Sequence, residues 1–199
     1  ALARNPLRDF SPAMPSARTS PPFPNLFLVG FMGTGKSSLG RALARRWHCP
    51  FVDTDHLIEK KIQMPIRDFF AQKGEVAFRE LERECIEKWI PANGAVVSCG
   101  GGLVVPPGMI DRLKSKGVLV CLFASPETIL RRTQSTSHRP LLQAEDPAAR
   151  IRELMAQREP VYLRAGTSVL TDGRNFLDLA IAVERIYRRE IALRRKAGR

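Results

Sequence analysis

Residues 30–37 read Gly-Phe-Met-Gly-Thr-Gly-Lys-Ser. They fit G-x-x-x-x-G-K-[ST], the pattern of a loop that wraps a polyphosphate. The residue types follow from that task. Glycines let the backbone turn tightly and aim N–H groups at phosphate oxygens. Lys36 brings a point charge to the β- and γ-phosphates, and the Ser37 hydroxyl suits a Mg²⁺ ion. The surroundings fit as well: Asn25-Leu26-Phe27-Leu28-Val29 is a short apolar run that stops at Gly30, and a helical pattern starts at Lys36. A strand that turns into a helix N-terminus is a ready anion site. The bland alternative, a glycine-rich turn with an exposed lysine, needs neither flank. The loop therefore calls for an α/β fold that binds a nucleoside triphosphate, and it leaves the phosphate acceptor open.

Five short apolar segments read as strands, at 25–30, 51–53, 95–99, 118–124 and 167–171. The longer ones are apolar throughout rather than alternating, as in parallel strands covered on both faces. Helical patterns lie between them. Leu39, Ala42, Leu43 and Trp47 form one stripe, and Leu57, Ile58 and Ile62 begin a second helical region. Phe78, Leu81, Cys85 and Trp89 run along a longer helix that ends near Pro91. Pro126 opens a helix to about Thr133, Pro147 opens another, and a last one spans about Phe176 to Lys196. Strands alternating with helices predict a doubly wound parallel sheet. With 199 residues and 44% hydrophobic content, the chain can bury the core of one such domain over 25–199.

Residues 1–24 hold six prolines and no apolar core of a secretory signal, and are expected to be a disordered tail. Residues 134–146 carry no strong pattern. They read either as a lid over a phosphate site, stiffened by Arg139-Pro140, or as a plain surface excursion. No stretch is apolar enough to cross a membrane. Cys49, Cys85, Cys99 and Cys121 make no C-x-x-C pair, so free buried thiols in a reducing compartment, the cytoplasm, are expected. Cys99, next to a glycine triplet, reads as a buried strand residue or a thiol near the site. The net charge is +12, and from Arg185 onward seven basic residues face one acid. That helix is either a solvated basic face or an anion-binding tail. With no interleaved aromatic beyond Tyr187 and no nucleic-acid motif, the solvated face is favoured and a nucleic-acid partner is not expected.

Asp53 and Asp55 close the second strand, where open α/β sheets bind ligands. On an extended chain their spacing turns both side chains the same way. One suits Mg²⁺ through water and the other a substrate hydroxyl, although Asp55 could equally cap the next helix. Gly100-Gly101-Gly102 follows the third strand and either admits a ligand close to its backbone or merely turns the chain. Arg79, Arg139 and Arg158 are of the residue type that recognises carboxylates and phosphates.

Together these residues resemble one family. The loop Gly30–Ser37, Asp53-Thr54-Asp55, Phe78-Arg79, Gly100-Gly101-Gly102, His138-Arg139-Pro140-Leu141-Leu142 and Arg158 stand in the order and spacing of the shikimate kinases, over about residues 25–175. The resemblance implies a P-loop kinase of the nucleoside monophosphate kinase type, with a five-stranded parallel sheet and a mobile lid at about 134–146. It implies transfer of the ATP γ-phosphate to the 3-hydroxyl of shikimate, with Mg²⁺, by a monomer. Another small hydroxy acid such as gluconate is the alternative acceptor. By position, Lys36, Asp55 and Arg139 would be catalytic. Gly33, Thr34, Gly35, Lys36, Ser37, Ser38, Arg132, Arg139 and Arg174 would bind ATP. Asp55, Arg79, Gly101 and Arg158 would bind the acceptor, and Ser37 with Asp53 would hold the metal. Leu103 and Ser38 depart from the family's usual residues without removing a functional group.

Overall fold

The computed structural model describes residues 23–133 and 146–197. Its centre is a sheet of five parallel strands in the order β2-β3-β1-β4-β5. They are β1 (Asn25–Val29), β2 (Phe51–Asp53), β3 (Val96–Ser98), β4 (Gly117–Phe123) and β5 (Thr167–Leu170), each within one residue of its expected ends. Helices cover both faces: α1 (Lys36–Trp47), α2 (Thr54–Ile62), α3 (Ile66–Glu84), α4 (Met109–Lys116), α5 (Pro126–Thr133), α6 (Pro147–Ala165) and α7 (Phe176–Ala197).

Strand periodicity divides the core. Phe27 and Val29 of β1 face one way with Val97, Leu119 and Cys121, and meet Leu113 of α4 and Ile151 and Tyr162 of α6. Leu26 and Leu28 face the other way with Val96, Val118 and Val120. They meet Leu39 and Leu43 of α1 and Leu179 and Val183 of α7. A third, smaller cluster of Ile58, Phe78 and Cys85 holds α2 and α3 beside the sheet. β1 is buried along its whole length, which explains why its sequence does not alternate.

Two features differ from the sequence reading. No helix was expected between the third and fourth strands, yet α4 fills that crossover. Its signal is present in Pro106-Pro107-Gly108 followed by Met109 and Leu113, both buried. The long helix before Pro91 is also not continuous. Gly74 breaks it at φ 75° and ψ 179°, and Cys85–Trp89 winds as a π-turn. The bends let this segment wrap around the α2 side of the sheet instead of running off as a rod.

Phe23 and Pro24, expected in the tail, are tied down: Gly94 N–H donates to the Phe23 carbonyl and the Tyr187 hydroxyl to that of Pro24. The rest of the expected tail and residues 134–145, expected to form a lid, lie outside the described residues. Asp146 is described and caps α6 by accepting from Ala149 N–H. Among the described residues no helix is long and apolar enough to cross a membrane. All four cysteines are free thiols, and three are buried. Burial pushes the Cys99 thiol well above its usual range, so it is an inert strand-end residue rather than a reactive group.

Candidate active site

The carboxyl ends of β2, β3 and β1 lie side by side: Asp53 pairs with Ser98, and Leu28 pairs with Ser98 from the other side. Each chain then enters a functional segment at that edge. After β1 comes the phosphate loop. Gly33 and Gly35 take left-handed backbones, φ 75° and 94°, which a side chain would disfavour. The loop hands over to α1 at Lys36, so the first N–H groups of a twelve-residue helix open toward the loop. Lys36 is buried, and its ammonium donates to the Gly30 and Phe31 carbonyls at 2.8 Å each. The Thr34 hydroxyl turns inward to the Phe31 carbonyl, leaving Thr34 its backbone to offer a ligand. Ser38 is exposed on the first turn of α1.

Ser37 donates its hydroxyl to Asp53 Oδ2 at 2.7 Å, and Ser98 Oγ lies 3.1 Å away. Three hard oxygen groups from α1, β2 and β3 thus converge. That donor set fits Mg²⁺, which takes one or two protein oxygens and fills its shell with water and phosphate. The sequence singles out Ser37 and Asp53 but not Ser98, whose only signal is its place just ahead of Cys99 and the glycine triplet.

The residues expected to bind the acceptor bring one correction. Asp53 and Asp55 do not share an extended chain. β2 ends at Asp53, which caps α2 through His56 N–H, and Asp55 sits in the first helical turn. The helix start redirects Asp55 toward the glycines. A methyl at Gly100 would collide with Asp55 Oδ1 and lie 3.3 Å from Glu82 Oε1. A methyl at Gly102 would lie 2.7 Å from Arg79 Nη1 and 2.8 Å from Nη2. None of the three glycines has a positive φ, so space rather than backbone shape demands them. The Gly100 N–H is taken by the Thr54 hydroxyl at 2.8 Å. Gly101 packs against the start of the phosphate loop, with Met32 N 3.5 Å from where its Cβ would stand. The triplet is therefore the seam between the two halves of the site.

Arg79 is held by two acids. Its Nη1 donates to Glu82 Oε2 at 2.5 Å and its Nη2 to Glu75 Oε1 at 2.7 Å. Glu82 is buried, and nothing in the sequence singles it out from the charges around it in Arg79-Glu80-Leu81-Glu82. Burial drives its carboxyl up to about 7, against the pull of Arg79; the nearby Asp55 and Glu75 add to the rise. Arg158 lies on α6 with its guanidinium 5.7 Å from the Phe31 ring centre, at the mouth of the phosphate loop. Arg132, at the end of α5, bridges the loop to the last strand. It donates to the Gly33 carbonyl at 3.2 Å and to Thr171 Oγ1 at 3.0 Å. Arg174 is exposed in the turn after β5 and makes no hydrogen bond to the loop among the described residues. Arg139 lies outside the described residues.

A sequence profile of the shikimate kinases, described as "Shikimate kinase", matches residues 32–186. A shikimate kinase of Caldanaerobacter subterraneus is 41% identical over 163 residues, covering 82% of this chain and 95% of the relative. One of Paracidovorax citrulli is 45% identical over 152 residues, covering 75% and 83%. Among solved structures, shikimate kinase from Acinetobacter baumannii in complex with shikimate superposes with a TM-score of 0.77 at 35% identity, covering 82% of this chain and 92% of that one. With the profile matched over most of the chain and relatives 41–45% identical over most of both chains, the chain belongs to the shikimate kinase family.

Proposed function

We propose that this chain transfers the γ-phosphoryl group of ATP to the 3-hydroxyl of shikimate, giving 3-phosphoshikimate and ADP. The observation that carries the residue assignment is the seam at Gly100–Gly102. Asp55 and Arg79 rest on it from one side and the phosphate loop abuts it from the other, so donor and acceptor meet across a few ångströms.

The roles follow from position. Gly33, Thr34 and Gly35 supply backbone donors to the triphosphate, and Ser37 and Ser38 stand on the first turn of α1. Lys36 leaves the two carbonyls it now holds for the more strongly negative phosphate oxygens. Arg132 and Arg174 border the adenosine end. Arg79 and Arg158 take the shikimate carboxylate, and Gly101 faces the ring hydroxyls. Asp55 holds the 3-hydroxyl and accepts its proton as the oxygen attacks the γ-phosphorus. The bond to the β,γ-bridging oxygen breaks, and ADP carries away that electron pair. Lys36 and Arg139 counter the charge that builds on the transferring group. Ser37 and Asp53 would hold Mg²⁺, beside Ser98; when bound it neutralises phosphate charge. The chain is taken to act as a monomer, and its free, mostly buried thiols support a cytoplasmic setting.

An ADP-release assay with shikimate, gluconate and nucleoside monophosphates as acceptors tests the reading. Shikimate alone should raise turnover above the acceptor-free rate. Turnover with gluconate at equal efficiency would overturn the acceptor assignment.

A further inference from the structure

Tyr162 lies on α6 one turn beyond Arg158, and its side chain is 2% exposed. A buried phenol needs a partner. This one donates to the Gly101 carbonyl at 2.5 Å, across 61 positions of sequence. The ring is fixed edge-on against Phe123, the last residue of β4, with centroids 6.2 Å apart and planes at 86°. The ring thus holds the hydroxyl at the Gly101 carbonyl, where the Arg158 guanidinium also hydrogen-bonds it. Burial raises the phenol to about 12, with Arg158 restraining the rise, so it keeps its proton at any working pH.

The consequence lies in the peptide that follows. A peptide unit is planar and trans, so the Gly101 C=O and the Gly102 N–H point in opposite directions. Holding that carbonyl against Tyr162 fixes the whole Gly101–Gly102 unit. Gly102 is the residue on which the Arg79 guanidinium rests, and Gly101 packs against the phosphate loop. One turn of α6 thus presents two groups on the same face, Arg158 toward the acceptor region and Tyr162 toward the glycine turn.

We propose that Tyr162 is a positioning residue of the acceptor half: its hydroxyl locks the Gly101–Gly102 peptide and couples the glycine turn to the helix that carries Arg158, so that turn and arginine hold the acceptor as one unit. The proposal rests on the acceptor-site reading above. Tyr162→Phe keeps the ring against Phe123 and removes the hydroxyl alone.

The test compares wild type and Tyr162→Phe by steady-state kinetics, calorimetric titration with shikimate, and thermal melting. Expected is an increase in shikimate KM and Kd of about tenfold, the usual scale for orphaning a buried acceptor. The ATP KM should stay within about twofold, consistent with a local effect. Combined with Arg158→Lys, the shikimate effect should fall short of the product of the single effects, as for two members of one unit. An unchanged shikimate Kd in Tyr162→Phe would overturn the proposal. So would equal rises in both KM values with a lowered melting temperature, which mark a purely structural role. If wild type itself fails to turn over shikimate, the acceptor reading falls first, and the two failures are thereby distinguished.

Discussion

Ser37, on the first turn of α1, donates its hydroxyl to Asp53 Oδ2 at the end of β2 across 2.7 Å. The bond ties the first turn of α1 to β2, past the intervening β3, and brings together two oxygens of the kind that suit a metal. Asp53→Asn keeps a side-chain oxygen to cap α2 but removes the negative charge. The Mg²⁺ concentration for half-maximal activity should rise about tenfold, since one charge-assisted contact is lost, while the melting temperature hardly moves. Asp53→Ala also loses the cap and should cost about 1 kcal/mol of stability in addition. Titrating Mg²⁺ against activity, with a melting curve for each variant, separates the two. Equal Mg²⁺ requirements in wild type and Asp53→Asn would remove Asp53 from the metal's shell.

Arg79 lies on α3 beside Gly102, and Arg158 lies on α6 beside Phe31. If both grip one carboxylate, replacing either by lysine keeps the charge and breaks the planar fork. Shikimate KM should then rise between about 10- and 100-fold, the range for one charge-assisted hydrogen bond, and the ATP KM should stay put. A variant that moves the ATP KM as strongly would place that arginine on the nucleotide instead.

Much of this site is legible in the chain because its parts are contiguous motifs at strand ends. The phosphate loop, Asp53-Thr54-Asp55 and the glycine triplet announce themselves by residue type. What sits beside them does not. Ser98 matters because β3 runs next to β2 at the register that pairs it with Asp53. Glu82 matters because its buried carboxylate meets Arg79 one turn before it and lies beside Gly100 at the far end of β3. Tyr162 matters through a contact 61 residues away. The misread pair, Asp53 and Asp55, shows the same limit from the other side: a two-residue alternation holds only while the strand continues, and α2 begins between them. The helix α4 was overlooked because eight residues give only two inward positions, Met109 and Leu113.

The three glycines of the seam should not be equivalent. At Gly102 an added methyl meets the flexible end of Arg79 at 2.7 Å, which can move aside and lose its seat. At Gly100 it meets Asp55, and at Gly101 it finds only contacts of 3.5–4.0 Å. Gly100→Ala should therefore lower kcat on the order of 100-fold, as for an ångström-scale misplacement of a catalytic group. Gly102→Ala should chiefly raise shikimate KM, and Gly101→Ala should be the mildest. Steady-state kinetics on the three variants decide the order. A Gly101→Ala enzyme worse than Gly100→Ala would show that the triplet serves through its middle backbone rather than through the room at its flanks.

Glu82 titrates at about 7 in the fold against 4.5 for an ordinary glutamate. The folded chain holds this proton more tightly than the unfolded one. The stability it confers is complete below about pH 4.5 and is lost as the pH rises through about 7. Relative to wild type, Glu82→Gln should gain melting temperature from pH 5 to about pH 7 and level off above it. The same proton is linked to the acceptor. A shikimate carboxylate on Arg79 competes for the guanidinium that favours ionised Glu82, so binding pushes the Glu82 carboxyl further up and takes up a proton. By reciprocity, shikimate should bind wild type more tightly at pH 6 than at pH 8, by about threefold for half a pK unit of coupling, whereas Glu82→Gln should be flat over that range. Calorimetry in two buffers of different ionisation enthalpy reads the proton uptake directly. Zero uptake near pH 7, or proton release, would break the link between Glu82, Arg79 and the acceptor.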